Sequence, residues 1–388
     1  MNFDQTEEQQ LLAESLRRYL AKDYDFESRK AVIHAERGAS DAAWHTFADM
    51  GLLALPLPAE HEGFGQGAAE LMPVMEAFGD ALVVEPIAST IVAARLVERA
   101  GSQDQRAALL PGVAAGTTRL AFAHQEAALR HGAASVALRA ARADGGDGWV
   151  LQGTKQLVLH APLADRIVVS ARTAGSDADP SGLALFVIDA GAQTAGLSMS
   201  AYRTFDNQMA ADLRFDGVQL PADALLGMPD QDAFAAVDEA LDFATALVCA
   251  EAVGAIRYAN DATLEYLKTR KQFGVPIGSF QALQHRMVDM VIEWELAHSM
   301  ALLACAKVDA TRGSDAADAV AERRRVVSAA KIRVSEAARK VAQESVQLHG
   351  GMGLSEELKI SHTFRRLTAI TLSFGDVDQH LARFAGQL

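Results

Sequence analysis

Two cysteines, Cys249 and Cys305, are all that 388 residues contain. Both lie in apolar, helix-forming sequence, so neither a disulfide framework nor a zinc-type cluster can be assembled, and buried free thiols are expected. Positive charge is also scarce: Lys+Arg 36 against Asp+Glu 50 leave a formal charge of -14. That surplus repels a phosphate backbone, which excludes nucleic-acid binding by a broad basic face and means that any bound phosphate must be met locally. Nowhere do 18 apolar residues run uninterrupted, and the opening MNFDQTEE holds neither a basic start nor an apolar stretch. No membrane insertion is expected, and the sequence predicts a soluble cytoplasmic protein.

What is present is 50% apolar residues over a length that predicts two or three domains. Thr6 and Gln9 have capping-box spacing, and Leu12, Leu16, Tyr19 and Leu20 share one helical face, so an amphipathic helix should begin near residue 6. Trp44, Phe47, Met50, Leu52 and Leu53 form a second apolar cluster. A Pro- and Gly-bearing loop over 56–67 precedes an apolar stretch over 71–96. The period then changes. Short β-branched or alternating runs at 118–124, 135–143, 149–160, 166–172, 183–188 and 211–215 predict a small β-sandwich or barrel. From residue 233 onward, long helices are predicted over 233–270, 281–311, 314–348, 355–371 and 376–385, an antiparallel bundle. The expected fold class is α+β multidomain: a helical domain at 1–117, a β domain at 118–228 and a helical bundle at 229–388.

Two motifs sit in this helical sequence. Residues 270–281 read RKQFGVPIGSFQ and residues 347–353 read QLHGGMG. Each joins a long polar side chain to glycines, a combination suited to a flat, polyphosphate-bearing ligand between helices. The bland reading is that Arg270 is a favourable charge at a helix end, Gly274 its cap and Pro276 its stop. His285 and His349, beside the motifs, could meet phosphate, though a helical His near a bundle core more often packs. Met287, Met290 and Trp294 read as core. His362, Arg365 and Arg366 read as a solvated or inter-subunit basic face.

The order helical domain, β domain, bundle, with Arg-x-x-Phe-Gly, a Gln eleven residues after the Arg, and Gln-x-x-Gly-Gly-x-Gly, resembles the acyl-CoA dehydrogenase family over essentially the whole chain. Stretches such as LKTRKQFGVPIGSFQALQHR and SFGDVD are similar to the small subunit of pimeloyl-CoA dehydrogenase type enzymes. The resemblance implies FAD as cofactor, α,β-desaturation of an acyl-CoA thioester, and electron-transfer flavoprotein as the acceptor. A base takes the α-proton while the β-hydride goes to flavin, and hydrogen bonds acidify the α-carbon. On the same resemblance Arg270, Phe273, Gln281, Gln347, Gly350 and Gly351 match residues that reach a neighbouring subunit's FAD.

The resemblance also shows gaps. The family's base is a Glu just before a Gly in a loop twenty-odd residues past the Gly-Gly-x-Gly turn; here Phe374 stands there. Some members carry it on the helix before the Arg motif, at the place of Ala244. Asp376, two residues past Phe374, more naturally caps the last helix. Glu251, seven residues past Ala244 and about 10 Å along the helix, reads as packing or interface polar. The hydroxyl-bearing Thr-Glu-Pro-like turn and Lys-x-Trp-Ile-Thr strand read HQEA at 124–127 and KQLVL at 155–159. An intact pyrophosphate motif beside an empty base position implies a noncatalytic subunit of a heteromer, α2β2 or similar. Its large partner would carry the Glu and flavin. The alternatives are a self-sufficient homo-oligomeric flavoenzyme using Asp376, and a nonenzymatic scaffold. A fatty, dicarboxylyl, aromatic-ring-derived or steroid-type thioester is left open.

Overall fold

The computed structural model describes residues 6–127, 132–191, 194–229 and 231–386. Residues 1–5, most of the opening MNFDQTEE, lie outside them. Helices α1 (Glu7–Asp23), α2 (Phe26–His34), α3 (Asp41–Asp49), α4 (Ala68–Ala81), α5 (Ile87–Ala100) and α6 (Gln103–Ala114) come first. Strands β1 (Leu120–Ala123), β2 (Arg139–Arg142), β3 (Trp149–Leu159), β4 (Arg166–Arg172), β5 (Leu183–Asp189), β6 (Leu197–Arg203) and β7 (Met209–Leu220) follow. Then come α7 (Phe234–Thr269), a hairpin of β8 (Lys271–Gln272) and β9 (Val275–Pro276), α8 (Gln281–Ala310), α9 (Ala317–His349), α10 (Lys359–Leu372) and α11 (Val377–Ala385).

The chain divides into two compact units that interleave along the sequence. One holds Met1–Ala31, Gly67–Val83 and Thr245–Leu388; the other holds Val32–Gln66 and Val84–Ala244.

In the first unit α1 starts as its sequence dictates. Thr6 Oγ1 accepts from Gln9 N while Gln9 Oε1 accepts from Thr6 N, a capping box that satisfies two donors at the helix start. Leu16 and Leu20 turn inward. Helices α4 and α7 meet backbone to backbone, and glycine makes that possible. A Cβ on Gly79 would stand 1.9 Å from Glu251 O, and one on Gly254 1.8 Å from Glu76 O. Asp309 of α8 accepts from Ala68 N at 2.7 Å and Ala69 N at 2.8 Å, capping α4 from another helix where Gly67 has no side chain to do so. Cys249 and Cys305 are buried and free, and burial pushes the Cys249 thiol up to about 11. Such thiols are inert packing groups.

In the second unit the β region is one seven-stranded mixed sheet in the order β1-β4-β2-β3-β7-β6, with β5 also on β4. β1 runs parallel to β4, and β3 pairs antiparallel with β7 along most of its length. Strand β6 has no counterpart in the sequence reading. Its LSMSAYR is mostly exposed, an edge strand paired to β7 whose only core contacts are the partly buried Leu197 and Met199. The core over this sheet includes Trp149, Phe186 and Phe215. Beneath it, Lys155, fully buried, donates to Glu126 Oε1 at 2.6 Å, His124 O at 3.1 Å and Ser170 Oγ at 3.1 Å. Glu126 accepts further from Ala137 N and Leu138 N, so this buried ion pair has its lone pairs filled.

Candidate functional site

Helix α7 ends at Thr269, and the chain then folds into the β8–β9 hairpin, in which Lys271 pairs with Pro276 and Gln272 with Val275. The two-residue turn between them is Phe273-Gly274, with φ of 55° and 85°. Positive φ at both turn residues suits the twist of a tight hairpin, and Gly274 adopts it freely. For Phe273 the same conformation is strained, of order 1–3 kcal/mol. Its ring is 91% exposed and meets Phe280 edge-on at 6.3 Å, so the packing of this chain does not repay that strain. The hairpin closes where Ile277 N donates to Arg270 O at 2.8 Å. That bond draws the end of α7 towards the start of α8, where Gln281 is the first residue.

The second motif comes to the same end of α7. The His349 ring stacks on Tyr266 with centroids 4.5 Å apart, four residues before Arg270 and two after Gln347. Gly350, at φ 61° and ψ -144°, ends α9 in a conformation that side chains avoid. Gly350 and Gly351 would have open space around a Cβ. Thus Arg270, Phe273, Gln281, Gln347, Gly350 and Gly351 all lie exposed. Among the described residues no hydrogen bond or ion pair engages the side chains of Arg270, Gln281 or Gln347. A guanidinium and two primary amides, unspent and flanked by glycines, form a donor set suited to a polyphosphate.

His349 does not join that set. It is buried, its Nδ1–H donates to Ser345 O at 2.7 Å, and burial lowers its pKa, so it is a packing residue. His285 is exposed at the start of α8.

The loop after α10 behaves differently. Phe374 has φ 54° and Gly375 φ 107°. His380 of α11 donates from Nε2 to Phe374 O at 3.0 Å. Asp376 is the N-cap of α11, with Oδ1 accepting from Gln379 N at 2.9 Å. A Cβ on Gly375 would stand 2.2 Å from Gln379 Oε1 and 2.8 Å from His380 Nε2, so glycine is required. Buried Lys331 of α9 donates to Ile370 O in the last turn of α10, and burial lowers its pKa to about 8. The loop is therefore braced by neighbouring helices and presents no carboxylate at Phe374. Ala244, on α7 in the other unit, is buried.

Glu251 takes the packing reading: it is buried and held bidentately by Arg366, with Nε to Oε1 at 2.6 Å and Nη2 to Oε2 at 2.7 Å. One expectation needs correction. His362, Arg365 and Arg366 do not form a solvated basic face. His362 is buried between Arg29 Nη1, 3.1 Å from Nδ1, and Glu356 O, 3.0 Å from Nε2. Arg365 is spent on Glu356 at 2.7 Å through both Nη atoms. A string of polar residues on a helix reads as surface until its partners are known. Here those partners are Arg29 and Glu251, distant in sequence.

Sequence models of the acyl-CoA dehydrogenase N-terminal, middle and C-terminal domains match residues 6–117, 121–218 and 233–388. The chain belongs to the acyl-CoA dehydrogenase family. It is 30% identical over 364 residues to the acyl-CoA dehydrogenase FadE12 of Mycobacterium tuberculosis, covering 93% of this chain and 90% of that one. Among solved structures, a chain of the Tcur3481-Tcur3483 steroid ACAD superposes with a TM-score of 0.84 at 30% identity, over 98% of this chain and 97% of that chain. A chain of the ChsE4-ChsE5 complex from Mycobacterium tuberculosis gives 0.86 at 25% identity, over 100% and 98%. The family makes the protein an oxidoreductase fold with FAD as its cofactor.

This acyl-CoA dehydrogenase chain fits that cofactor unevenly. At the β3–β7 register shift between Lys155 and Val158, Leu157 has φ 50° and its N–H donates to Asp212 Oδ1 at 3.0 Å. No hydroxyl stands at Gln125 or Leu159. His124 and Lys155 are turned inward: His124 Nδ1 meets Ser170 Oγ at 2.9 Å and its Nε2 meets Gly132 O at 3.1 Å. Burial, then the Lys155 charge, lowers the His124 pKa to about 3, so the ring is neutral and cannot serve as a proton donor near neutral pH. The donors that suit FAD are those of residues 270–281 and 347–351. Among the described residues, no helix is long and apolar enough to cross a membrane, and no group of three or more acidic, His or Cys side chains could hold a metal.

Proposed function

We propose that this chain is the base-less small subunit of a hetero-oligomeric, FAD-dependent acyl-CoA dehydrogenase, α2β2 in composition. In this reading it completes a flavin site seated mainly on a large partner subunit of the same fold. One observation carries the reading: Arg270, Gln281 and Gln347 are exposed and unspent, while Phe374 and Ala244 stand where a base is needed. Donors left free on the outside of a chain serve something outside it. Neither Phe nor Ala can take an α-proton.

In this assembly the Arg270 guanidinium neutralises the pyrophosphate of the partner-held FAD through paired N–H bonds. The Gln281 and Gln347 amides fix the nucleotide end, and Gly350 and Gly351 let backbone N–H groups approach it. Phe273 supplies a ring beside them, which accounts for its strained, exposed conformation. When bound, FAD would supply the hydride-accepting chemistry of the desaturation, with an electron-transfer flavoprotein as the acceptor. The α-proton goes to a carboxylate of the large subunit. The segments 1–117, 118–228 and 229–388 act as the three domains. The 30% identity to the Tcur3481-Tcur3483 steroid ACAD favours a steroid-type CoA thioester.

Asp376 as the base has no support, because its carboxylate is engaged as an N-cap. Purifying the chain alone and with a co-expressed large subunit tests the proposal. Colourless chain alone and one flavin per pair of chains on co-expression is the expected result. Yellow chain alone, bleached by acyl-CoA, overturns it.

A further inference from the structure

Three side chains of the second unit make a bonded row that the flavin reading does not use. Ser89 stands in the first turn of α5, His160 directly follows β3, and Gln208 directly precedes β7. Ser89 Oγ lies 2.6 Å from His160 Nδ1, and His160 Nε2 lies 2.8 Å from Gln208 Oε1. An amide oxygen only accepts, so Nε2 carries the proton of the neutral ring and Nδ1 accepts from the Ser89 hydroxyl. Hydroxyl, imidazole and carboxamide, each orienting the next, are the parts of a nucleophile with its base, whatever fold carries them.

The backbone holds the row in place. His160 has φ 61°, a left-handed conformation; its N–H donates to Met209 O at 2.7 Å and its carbonyl accepts from Leu163 N at 2.9 Å. Gln208 N donates to Thr204 Oγ1 at 3.0 Å, and Gln208 O accepts from Thr204 N at 2.9 Å. His160 and Gln208 are buried, whereas Ser89 is partly exposed. The bland reading is a Ser bonded within its own turn to Pro86 O. That contact is 3.3 Å, and the hydroxyl has one proton, which the 2.6 Å contact takes. Among the described residues nothing donates to Ser89 Oγ, so its lone pairs stay open for attack.

A carbonyl attacked by that oxygen develops negative charge on its own oxygen. The first helical bond of α5 runs from Thr90 N to Pro86 O, and among the described residues no hydrogen bond engages the N–H of Ala88 or Ser89. Two unspent amides at the positive end of a helix, one of them the nucleophile's own, suit such an oxyanion.

We infer that Ser89, with His160 as its base and Gln208 as the positioning residue of that base, hydrolyses acyl-CoA thioesters, the compounds for which the family is named. Ser89 Oγ bonds the thioester carbon as its proton passes to His160 Nδ1. The C–S bond then breaks, and the thiolate takes that proton and leaves as the free thiol. Water bonds the acyl carbon next, giving a proton to Nδ1. The bond from carbon to Ser89 breaks as Oγ recovers that proton, and a carboxylic acid leaves. No electrons are transferred, so this activity goes beyond the flavin reading and needs neither flavin nor a large subunit.

The full chain, purified alone, is treated with a fluorophosphonate, digested, and its labelled peptides are read by mass spectrometry. In parallel it is given butyryl-CoA, and the free thiol released is followed with a disulfide reagent. The label should fall on Ser89, and thiol release should disappear in Ser89→Ala. That variant loses one oxygen from a partly exposed first turn, and a thermal midpoint near that of the wild type shows that it is folded. In a His160→Gln chain of matching midpoint both readouts should slow by about 10²-fold. An unlabelled Ser89, a thiol release equal in wild type and Ser89→Ala, or a labelled Ser89 without thiol release each overturn the inference. Both readouts are blind to flavin, so this inference and the heteromeric reading fail separately.

Discussion

The hairpin region at 270–281 and the loop region at 372–380 hold polar side chains in opposite states. Around the hairpin the side chains of Arg270, Gln281 and Gln347 are exposed and, among the described residues, unbonded. Around the loop the named polar groups are spent: Asp376 on Gln379 N, His380 on Phe374 O, Lys331 on Ile370 O. Engaged polar groups hold a fold, and unengaged ones wait for a ligand or a partner. The difference separates side chains left available for a ligand from side chains that hold the fold. In a subunit with its own base, an acid on the loop would need to be free.

The comparison can be broken by removing engaged groups and asking whether stability, not chemistry, responds. Glu251→Ala leaves the largely covered Arg366 without its bidentate partner, and urea denaturation should show a loss of about 3 kcal/mol. A loss below about 1 kcal/mol would mean that the pair is solvated after all. A pH experiment extends the contrast to the β unit. His124 is neutral when folded, with a pKa of about 3 against 6.5 unfolded, so the unfolded chain binds the extra proton between those values. Its contribution is present above pH 6.5 and is lost as pH falls, about 2 kcal/mol by pH 5. His124→Gln should flatten that part of the acid limb in denaturant midpoints; an unchanged slope would show that the ring is not buried as described. The smallest effect is expected from Asp376→Ala: about 1 kcal/mol of stability through the lost N-cap, with turnover of the reconstituted enzyme unchanged. A fall of several orders of magnitude in turnover would name Asp376 as a base.

Much of this was legible in the sequence because its signals are local. The Thr6–Gln9 capping box and the helix bounds around α7 to α11 need only nearby residues, and the structure places them within a few residues of the expected positions. The two motifs were legible too, since glycine and long polar side chains stand out in helical sequence. Strand β6 was not, because its alternation is weak: only Leu197 and Met199 reach the core, and neither residue is β-branched. The Glu251–Arg366 and Arg29–His362 pairs were illegible for another reason. A charge reads as surface unless its partner is known, and those partners lie 115 and 333 residues away. The pairing of Lys155 with Glu126 was hidden in the same way, although an isolated Lys opening the apolar LVL run was a usable clue. The exposure of Phe273 could not be read from periodicity, because an apolar residue that meets a partner looks like one that meets the core.

Arg270 gives the most direct test of the central claim. In the complex with a co-expressed large subunit, Arg270→Ala should lower the flavin-to-protein ratio about tenfold at limiting FAD, one charge-assisted contact's worth. The thermal midpoint of the lone chain should stay put, as for a surface substitution worth no more than about 0.5 kcal/mol. Unchanged flavin occupancy in that complex would contradict the account.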